Sequence, residues 1–494
     1  MVTTSEAKNG EKTCALNGKH FHSAYNPSRE AEQYVLRLEI PFNPAAIIII
    51  EPAFSYCARF LRNRFPEAAL CAIRLCADFS EYDHLWDYSF YADTTPALSE
   101  QLFSALGEEN LCSALFFAWP PAEQIFLEKT KSAWQEIKSA VLKSRDVLAT
   151  RSFFAKRWLK NTVRFCHHIC HTAIIKKGDA DIVIAASGPS LTSSLPKIKE
   201  HRNEIFLIAV SSALLPLLHA KIQPDVVIST DGGWWAKKHL SAPGYDVSAL
   251  VFACAAEGAV HAELAAQNTI VPLYYDDGIE KEFFTVCKIN AMSATRNGTV
   301  SGTAAEFALA LTSGNVYFCG LDLSPAKGFQ HTQPNALELL NEAKDFRLNP
   351  KSTRMAASEC ASQGSLEIYR NWFAAQSERL GKRLFRLSDN YKFSHTLGKI
   401  QDITWNDFSV RHKKDGFTLP KIIRTKPSAN GRAEKLFKAI HTVFSSDKYI
   451  SELCPVESMM EKRTTSKDEQ KKYALTIAEK KERCIEELEK QIYG

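Results

Sequence analysis

The residues best suited to chemistry fall in four short stretches of the 494-residue chain. Ser187-Gly188-Pro189-Ser190 ends a run of β-branched and small apolar residues and precedes a helix start. A strand, a glycine turn and a helix amino terminus aim backbone N–H groups and a positive dipole end at one point, which suits a phosphate. Gly188 lets the backbone approach an anion with no Cβ in the way, Pro189 fixes φ, and Ser190 offers a hydroxyl. Ser229-Thr230-Asp231-Gly232-Gly233 presents a carboxylate on a turn, able to hold a ribose, a base or a metal-bound phosphate, or to cap the helix beginning near Trp234. Asn297-Gly298-Thr299-Val300-Ser301-Gly302-Thr303 opens an alanine-rich helix and makes a second anion-binding end, with plain capping as the alternative. Gly320-Leu321-Asp322 follows an apolar strand, and His331 lies on the loop beyond it. A histidine there can take a hydroxyl proton near neutral pH, although a loop histidine is often simply solvated.

The elements that must position these residues are legible as alternation. Strand-sized apolar runs fall at 182–186, 205–210, 226–229, 250–254, 269–275, 316–319 and 384–387, and helical stretches separate most of them. This pattern predicts a doubly wound α/β fold with a mainly parallel, Rossmann-like central sheet, whose ligands sit at the carboxyl ends of the strands. All four stretches fall at such ends. Ahead of this region, residues 45–50 read as a buried strand ending at Glu51-Pro52. Without a glycine fingerprint before it, Glu51 reads as structural.

The resulting division is a polar arm over 1–33, a smaller α/β amino-terminal domain over 34–143 and a connecting helical region over 144–178. The central domain follows over 179–395, then a linker over 396–430 and a helical carboxyl-terminal domain over 431–494. Within the connecting region, Cys166, His167, Cys170 and His171 form i,i+4 pairs on one helix. One helix offers a metal two good ligands, so no metal site is expected. Asp276-Asp277 reads as solvated turn acids, with cation binding as the alternative.

Composition excludes several classes. Hydrophobic content of 45% and charged content of 24% are those of a globular protein, and a net charge of +5 does not call for nucleic acid. No apolar run is long enough to span a bilayer, and no signal peptide is read at the amino terminus. Thirteen scattered cysteines fit free thiols in a reducing compartment, so a cytoplasmic location is expected. P-loop, zinc-protease and nucleophile-elbow patterns are absent from these positions.

Ala186-Ser-Gly-Pro-Ser-Leu191, Thr230-Asp231-Gly232, Val300-Ser-Gly-Thr-Ala304 and Phe318-Cys-Gly-Leu-Asp-Leu323 occur in that order. Together they resemble the motility-associated factor (Maf) flagellin glycosyltransferases of bacteria. That family's central domain is shared with the archaeal-type 6-hydroxymethyl-7,8-dihydropterin pyrophosphokinases. The resemblance covers residues 179–390, and the motifs also look distantly like sialyltransferases that use CMP-activated sugars. It implies that Ser187, Gly188, Pro189, Ser190, Ser301, Gly302, Thr303 and Asp322 bind the donor nucleotide, and Asp231, on the same ligand edge, is read from its position as a further donor contact. His331 would be the catalytic base, because the Maf pattern also places a histidine after its Gly-hydrophobic-Asp strand. Ser187 stands where the sialyltransferase turn carries asparagine, so a role of that amide does not transfer.

The function so implied is a protein O-glycosyltransferase moving a nonulosonic acid (sialic-, pseudaminic- or legionaminic-like) from its CMP donor to Ser or Thr of flagellin. Such a donor needs no metal to bridge a diphosphate, so no cofactor is required. One alternative is an ATP-using pterin pyrophosphokinase, with magnesium held by Asp231 or Asp276-Asp277. Another is a non-catalytic flagellin-binding chaperone.

Overall fold

The computed structural model describes residues 2–94, 96–231, 233–258, 261–275, 278–361, 363–389, 391–412 and 416–493. Two compact units emerge, Met1–Ala155 with Ser446–Cys484, and Lys156–Ser445 with Ile485–Gly494.

In the first unit, β1 (Thr3–Glu6), β2 (Lys12–Leu16) and β3 (Lys19–His20) form an antiparallel sheet. These residues were expected to be a polar arm, and the structure corrects that. Asn17 and Gly18 both take positive φ, 52° and 78°, the geometry that joins two strands by a two-residue hairpin. Cys14 and Phe21 are buried beneath it, which ties the segment down. β4 (Ala46–Ile50), β5 (Ala69–Arg74), β6 (Tyr88–Tyr91) and β7 (Ala114–Ala118) make a parallel sheet in the order β6-β5-β4-β7. Ile47 and Ile49 enter one core and Ile48 and Ile50 another, so an unbroken isoleucine run is what a strand covered on both faces requires. Glu51 ends β4 fully buried and accepts from the Ala53, Leu75 and Cys76 N–H groups and from Arg74. Its lone pairs are used internally, which is the structural role expected of it.

The second unit holds β8 (His171–Lys176), β9 (Ile182–Ala185), β10 (Phe206–Val210), β11 (Val226–Ser229), β12 (Val251–Ala255), β13 (Thr269–Tyr275), β14 (Met292–Ala294), β15 (Val316–Cys319), β16 (Leu384–Leu387), β17 (Gln401–Ile403) and β18 (Lys421–Thr425). They form one sheet in the order β17-β16-β15-β9-β10-β11-β12-β13-β8-β18, with β14 also paired to β13. Every pairing is parallel except β18 on β8. The doubly wound, mainly parallel sheet is therefore present, and β9 at its centre is fully buried on both faces.

Three segments differ from expectation. The 396–430 stretch is no linker, because β17 and β18 within it complete the two edges of the sheet. The connecting helix Leu127–His168 stops at His168, and His171 begins β8, so the Cys166–Cys170 and His167–His171 spacing is not helical. The carboxyl-terminal region is helical, as Arg432–Phe444, Asp447–Leu453, Pro455–Arg463 and Lys467–Tyr493. Among the described residues, no helix is long and apolar enough to cross a membrane.

Candidate active site

From β9 the chain steps outward through β10, β11, β12 and β13 on one side. It returns over the Val300–Leu311 helix to β15 on the other side of β9, and continues to β16 and β17. The strand order reverses at β9, and the loops leaving the carboxyl ends of β9 and β15 must part there. Such a switch point is where open α/β sheets hold their ligands.

Ser187–Ser190 leaves β9 at this point, but it is not an empty phosphate cradle. Asp322, leaving β15, accepts from the Ser190 N–H at 3.2 Å through both carboxylate oxygens and from the Ser190 hydroxyl at 2.7 Å. The Gly188 N–H donates to the Gly320 carbonyl at 2.8 Å. The donors that the sequence offered to an anion are thus spent on the protein's own carboxylate and carbonyl. Gly188 is needed for that approach, since a Cβ there would stand 2.2 Å from Asp322 Oδ2 and 2.5 Å from the Gly320 oxygen. Burial is the largest influence on Asp322 and raises its pKa, against the lowering effects of Ser190, Tyr391 and Arg386. Ser190 and Asp322 therefore build the site's frame, and Pro189 lies within the same turn.

Ser187 faces elsewhere. Its hydroxyl lies 2.8 Å from His331 Nδ1 and 2.7 Å from the Ser212 hydroxyl. The loop carrying His331 is fastened to the β9 turn: the Thr332 N–H donates to the Ser187 carbonyl at 2.7 Å and its hydroxyl to the Gly188 carbonyl at 2.6 Å. Asn335 Nδ2 reaches the Ser212 carbonyl at 3.4 Å. Burial pushes the His331 imidazole down to about 4, so it is uncharged at neutral pH. The His239 ring, on the Trp234–Ser241 helix, stands edge-on to it with centroids 6.0 Å apart. Burial first, and then the proximity of His331, bring His239 down to about 4.

The second helix start that the sequence offered to an anion is open. The Val300–Leu311 helix follows β14 and so starts at the carboxyl edge of the sheet. Among the described residues, the N–H groups of Val300, Ser301 and Gly302 have no protein acceptor, and buried Asn297 Nδ2 has no partner. Thr303 is used internally, its hydroxyl donating to the Thr295 carbonyl at 3.0 Å. Gly302 is tightly fitted, a Cβ there meeting Asn297, Thr299 and Trp372 at 3.0–3.1 Å. The loop before the helix is braced by Arg296, which forks onto Glu257 at 2.8 and 3.0 Å and lies 4.2 Å from the Tyr275 ring centroid.

Asp231 ends β11 two strands from β9 and is exposed, with Oδ1 accepting from the Gly233 N–H at 2.8 Å. No hydrogen bond joins it to the Ser187–His331 group. Asp276 and Asp277 lie outside the described residues. Among the described residues, no group of three His, Cys, Asp or Glu side chains could hold a metal ion. Sequence reasoning did not single out Ser212, His239, Thr332, Asn335 or Arg296. Ser212 alone carried a usable signal, as a hydroxyl two residues after a strand on the ligand edge.

The fold and site define an α/β protein whose switch point carries an uncharged histidine, with an open helix amino terminus on the same carboxyl edge of the sheet. Residues 156–328 match the family model described as 6-hydroxymethylpterin diphosphokinase MptE-like, a match that ends three residues before His331. This is the shared central domain that the sequence motifs implied. A protein of Treponema pallidum (strain Nichols), described only as uncharacterized, is 33% identical over 332 residues, spanning 66% of this chain and 71% of that protein. The chain belongs to the same family as this treponemal protein. Among solved structures, that of the Maf glycosyltransferase from Magnetospirillum magneticum AMB-1 aligns over 100% of this chain and 92% of its own, with 13% identity and a TM-score of 0.48. A likeness that loose carries no activity across.

Proposed function

We propose that the chain is a glycosyltransferase that moves a nonulosonic acid from a CMP donor to a hydroxyl of flagellin. The observation that carries this reading is the presence, on the carboxyl edge of one sheet, of both an unfilled helix amino terminus at Val300–Gly302 and an uncharged, hydrogen-bonded His331. The donor's single phosphate sits on the free N–H groups, where the helix dipole stabilises the charge that grows as the bond to the sugar breaks. His331 takes the proton of the acceptor hydroxyl as that oxygen attacks the anomeric carbon. The order of the four motifs, with their resemblance to the Maf family, supports the sugar, the donor and the acceptor. A cytoplasmic location is part of the same proposal.

The description of the matching family model favours a second reading, transfer of a diphosphate from ATP to a pterin. Magnesium would then be held by Asp231, whose Oδ2 is left over from the Gly233 contact, and the charge of two phosphates would be met by the metal. Calorimetric titration with CMP, UDP, ADP and ATP, each with EDTA and with magnesium, separates the two. Metal-independent preference for CMP supports the glycosyltransferase. Magnesium-dependent ATP binding replaces it with the diphosphotransferase. Absence of all nucleotide binding leaves flagellin capture without catalysis.

A further inference from the structure

A base that gains a proton must lose it again before the next turnover. Among the described residues, His331 has one hydrogen-bond partner for its ring, the Ser187 hydroxyl, and that hydroxyl is itself bonded to Ser212. The Ser212 hydroxyl has no other partner among the described residues, and the residue is half-buried. The chain Nδ1–Ser187–Ser212 therefore starts at an imidazole and ends at a hydroxyl with bonding capacity left over. Each member is held from outside the chain: Ser187 and its turn by Thr332, and the Ser211–Ala213 turn by Asn335.

Resting on the base role given to His331 above, we infer that Ser187 and Ser212 form a hydroxyl relay that carries the proton of His331 to solvent. Hydroxyls both donate and accept, so the chain has two complete polarities. In one, His331 Nδ1–H donates to Ser187, which donates to Ser212, and Nε2 keeps its lone pair for the acceptor hydroxyl. In the other, Ser212 donates to Ser187, which donates to Nδ1, and the proton stays on Nε2. During transfer the acceptor's proton arrives on Nε2 and makes an imidazolium. The Nδ1 proton passes to Ser187 Oγ, the Ser187 proton to Ser212 Oγ, and the Ser212 proton to a water molecule. Three O–H or N–H bonds break and three form, and the imidazole leaves neutral with its proton on Nε2. Once the product leaves, Nε2–H gives its proton to a water molecule, and another water returns a proton through Ser212 and Ser187 to Nδ1, which restores the base and the first polarity. Ser187 is thus a positioning and relay residue, in place of the phosphate contact expected of it.

The test uses the full chain. Ring ¹⁵N chemical shifts of His331, assigned with His331→Gln, report the tautomer directly and need no substrate. Ser212→Ala does not touch the ring. The relay predicts that it nevertheless moves both His331 ring shifts toward a single tautomer, and that Ser212→Thr restores them. With CMP-sugar donor and flagellin, Ser212→Ala is expected to lower kcat about tenfold at unchanged KM and to raise the solvent deuterium isotope effect, a modest share of what proton-transfer groups supply. Unchanged His331 shifts and unchanged kcat in Ser212→Ala would overturn the relay. Shifts that move in a protein inactive toward every donor uphold the hydroxyl chain and overturn the glycosyltransferase reading instead.

Discussion

Asp322 closes the amino-terminal end of the Leu191–Glu200 helix by accepting both the backbone N–H and the hydroxyl of Ser190. A carboxylate from β15 thus occupies the place at the end of β9 where a ligand phosphate would otherwise be drawn. It also locks together the two loops that diverge at the switch point.

Removing that carboxylate should unmask the anion site. Asp322→Ala leaves the Ser190 N–H without its acceptor, a loss of about 1–3 kcal/mol. The variant should melt lower than the parent and regain stability in millimolar phosphate, whereas the parent should not respond. Thermal unfolding with and without phosphate checks both.

Gly188 should tolerate no side chain. Gly188→Ala places a methyl within 2.2 Å of Asp322 Oδ2 and 2.5 Å of the Gly320 carbonyl, and the second of these is backbone that cannot turn aside. A destabilisation of about 1–3 kcal/mol is expected from such overpacking, and more for Gly188→Val. Urea midpoints would show it, and equal midpoints for parent and variant would remove the close approach as the reason for glycine.

His331→Gln should reduce transfer about 10²–10⁴-fold, the range of a general base. With its imidazole pushed down to about 4, the parent's rate should fall only as the pH approaches 4. Stability gives an independent check. The folded-state value lies below the ordinary 6.5, so the unfolded chain takes up the proton first and stability is lost as the pH falls from 6.5 toward 4. His331→Gln should lack this part of the acid sensitivity, seen as a smaller drop in urea midpoint between pH 7 and pH 4.5.

Glu280 titrates in the opposite sense. Burial first, and then the Glu257 charge, raise it to about 8, and its Oε2 is buried without a partner among the described residues. The folded chain therefore holds this proton more tightly than the unfolded chain, and stability is lost as the pH rises from about 4.5 through 8. Glu280→Gln keeps an oxygen for the Tyr275 N–H, 2.6 Å from Oε1, and removes the titration. It should match the parent near pH 5 and exceed it at pH 9 in thermal unfolding.

Arg296 braces the loop that presents the open helix start. Arg296→Ala should raise the dissociation constant of the preferred nucleotide about tenfold, equivalent to roughly 1.4 kcal/mol, with little change in melting temperature. An unchanged dissociation constant would separate that helix start from nucleotide binding.

The strands of the central sheet were legible because they are short, continuous apolar runs bounded by turn residues. The strand expected at 226–229 is β11, that at 269–275 is β13, and those at 316–319 and 384–387 are β15 and β16. β8, β17 and β18 were not, because His171–Lys176, Gln401–Ile403 and Lys421–Thr425 lie toward or at the sheet's edges and carry polar and charged residues. Their pairing is decided by the sheet's open edges and not by their own composition. The Asn17-Gly18 hairpin signal was present, but the strands it joins are five and two residues long, too short to show a period.

By itself the sequence determined the strand–helix alternation, and with it the edge of the sheet on which Ser187, Asp231, Ser301, Asp322 and His331 all lie. It also placed a helix start beside each of two small-residue turns, since local chemistry governs caps and glycines. Which turn stays open was decided only by tertiary structure. Asp322 is 132 residues from Ser190, and nothing in either segment says that the two meet. The same long-range pairing of β15 with β9 turned Ser187 toward His331, 144 residues away. Side-chain partners across a switch point follow from strand order, and strand order is a property of the whole sheet.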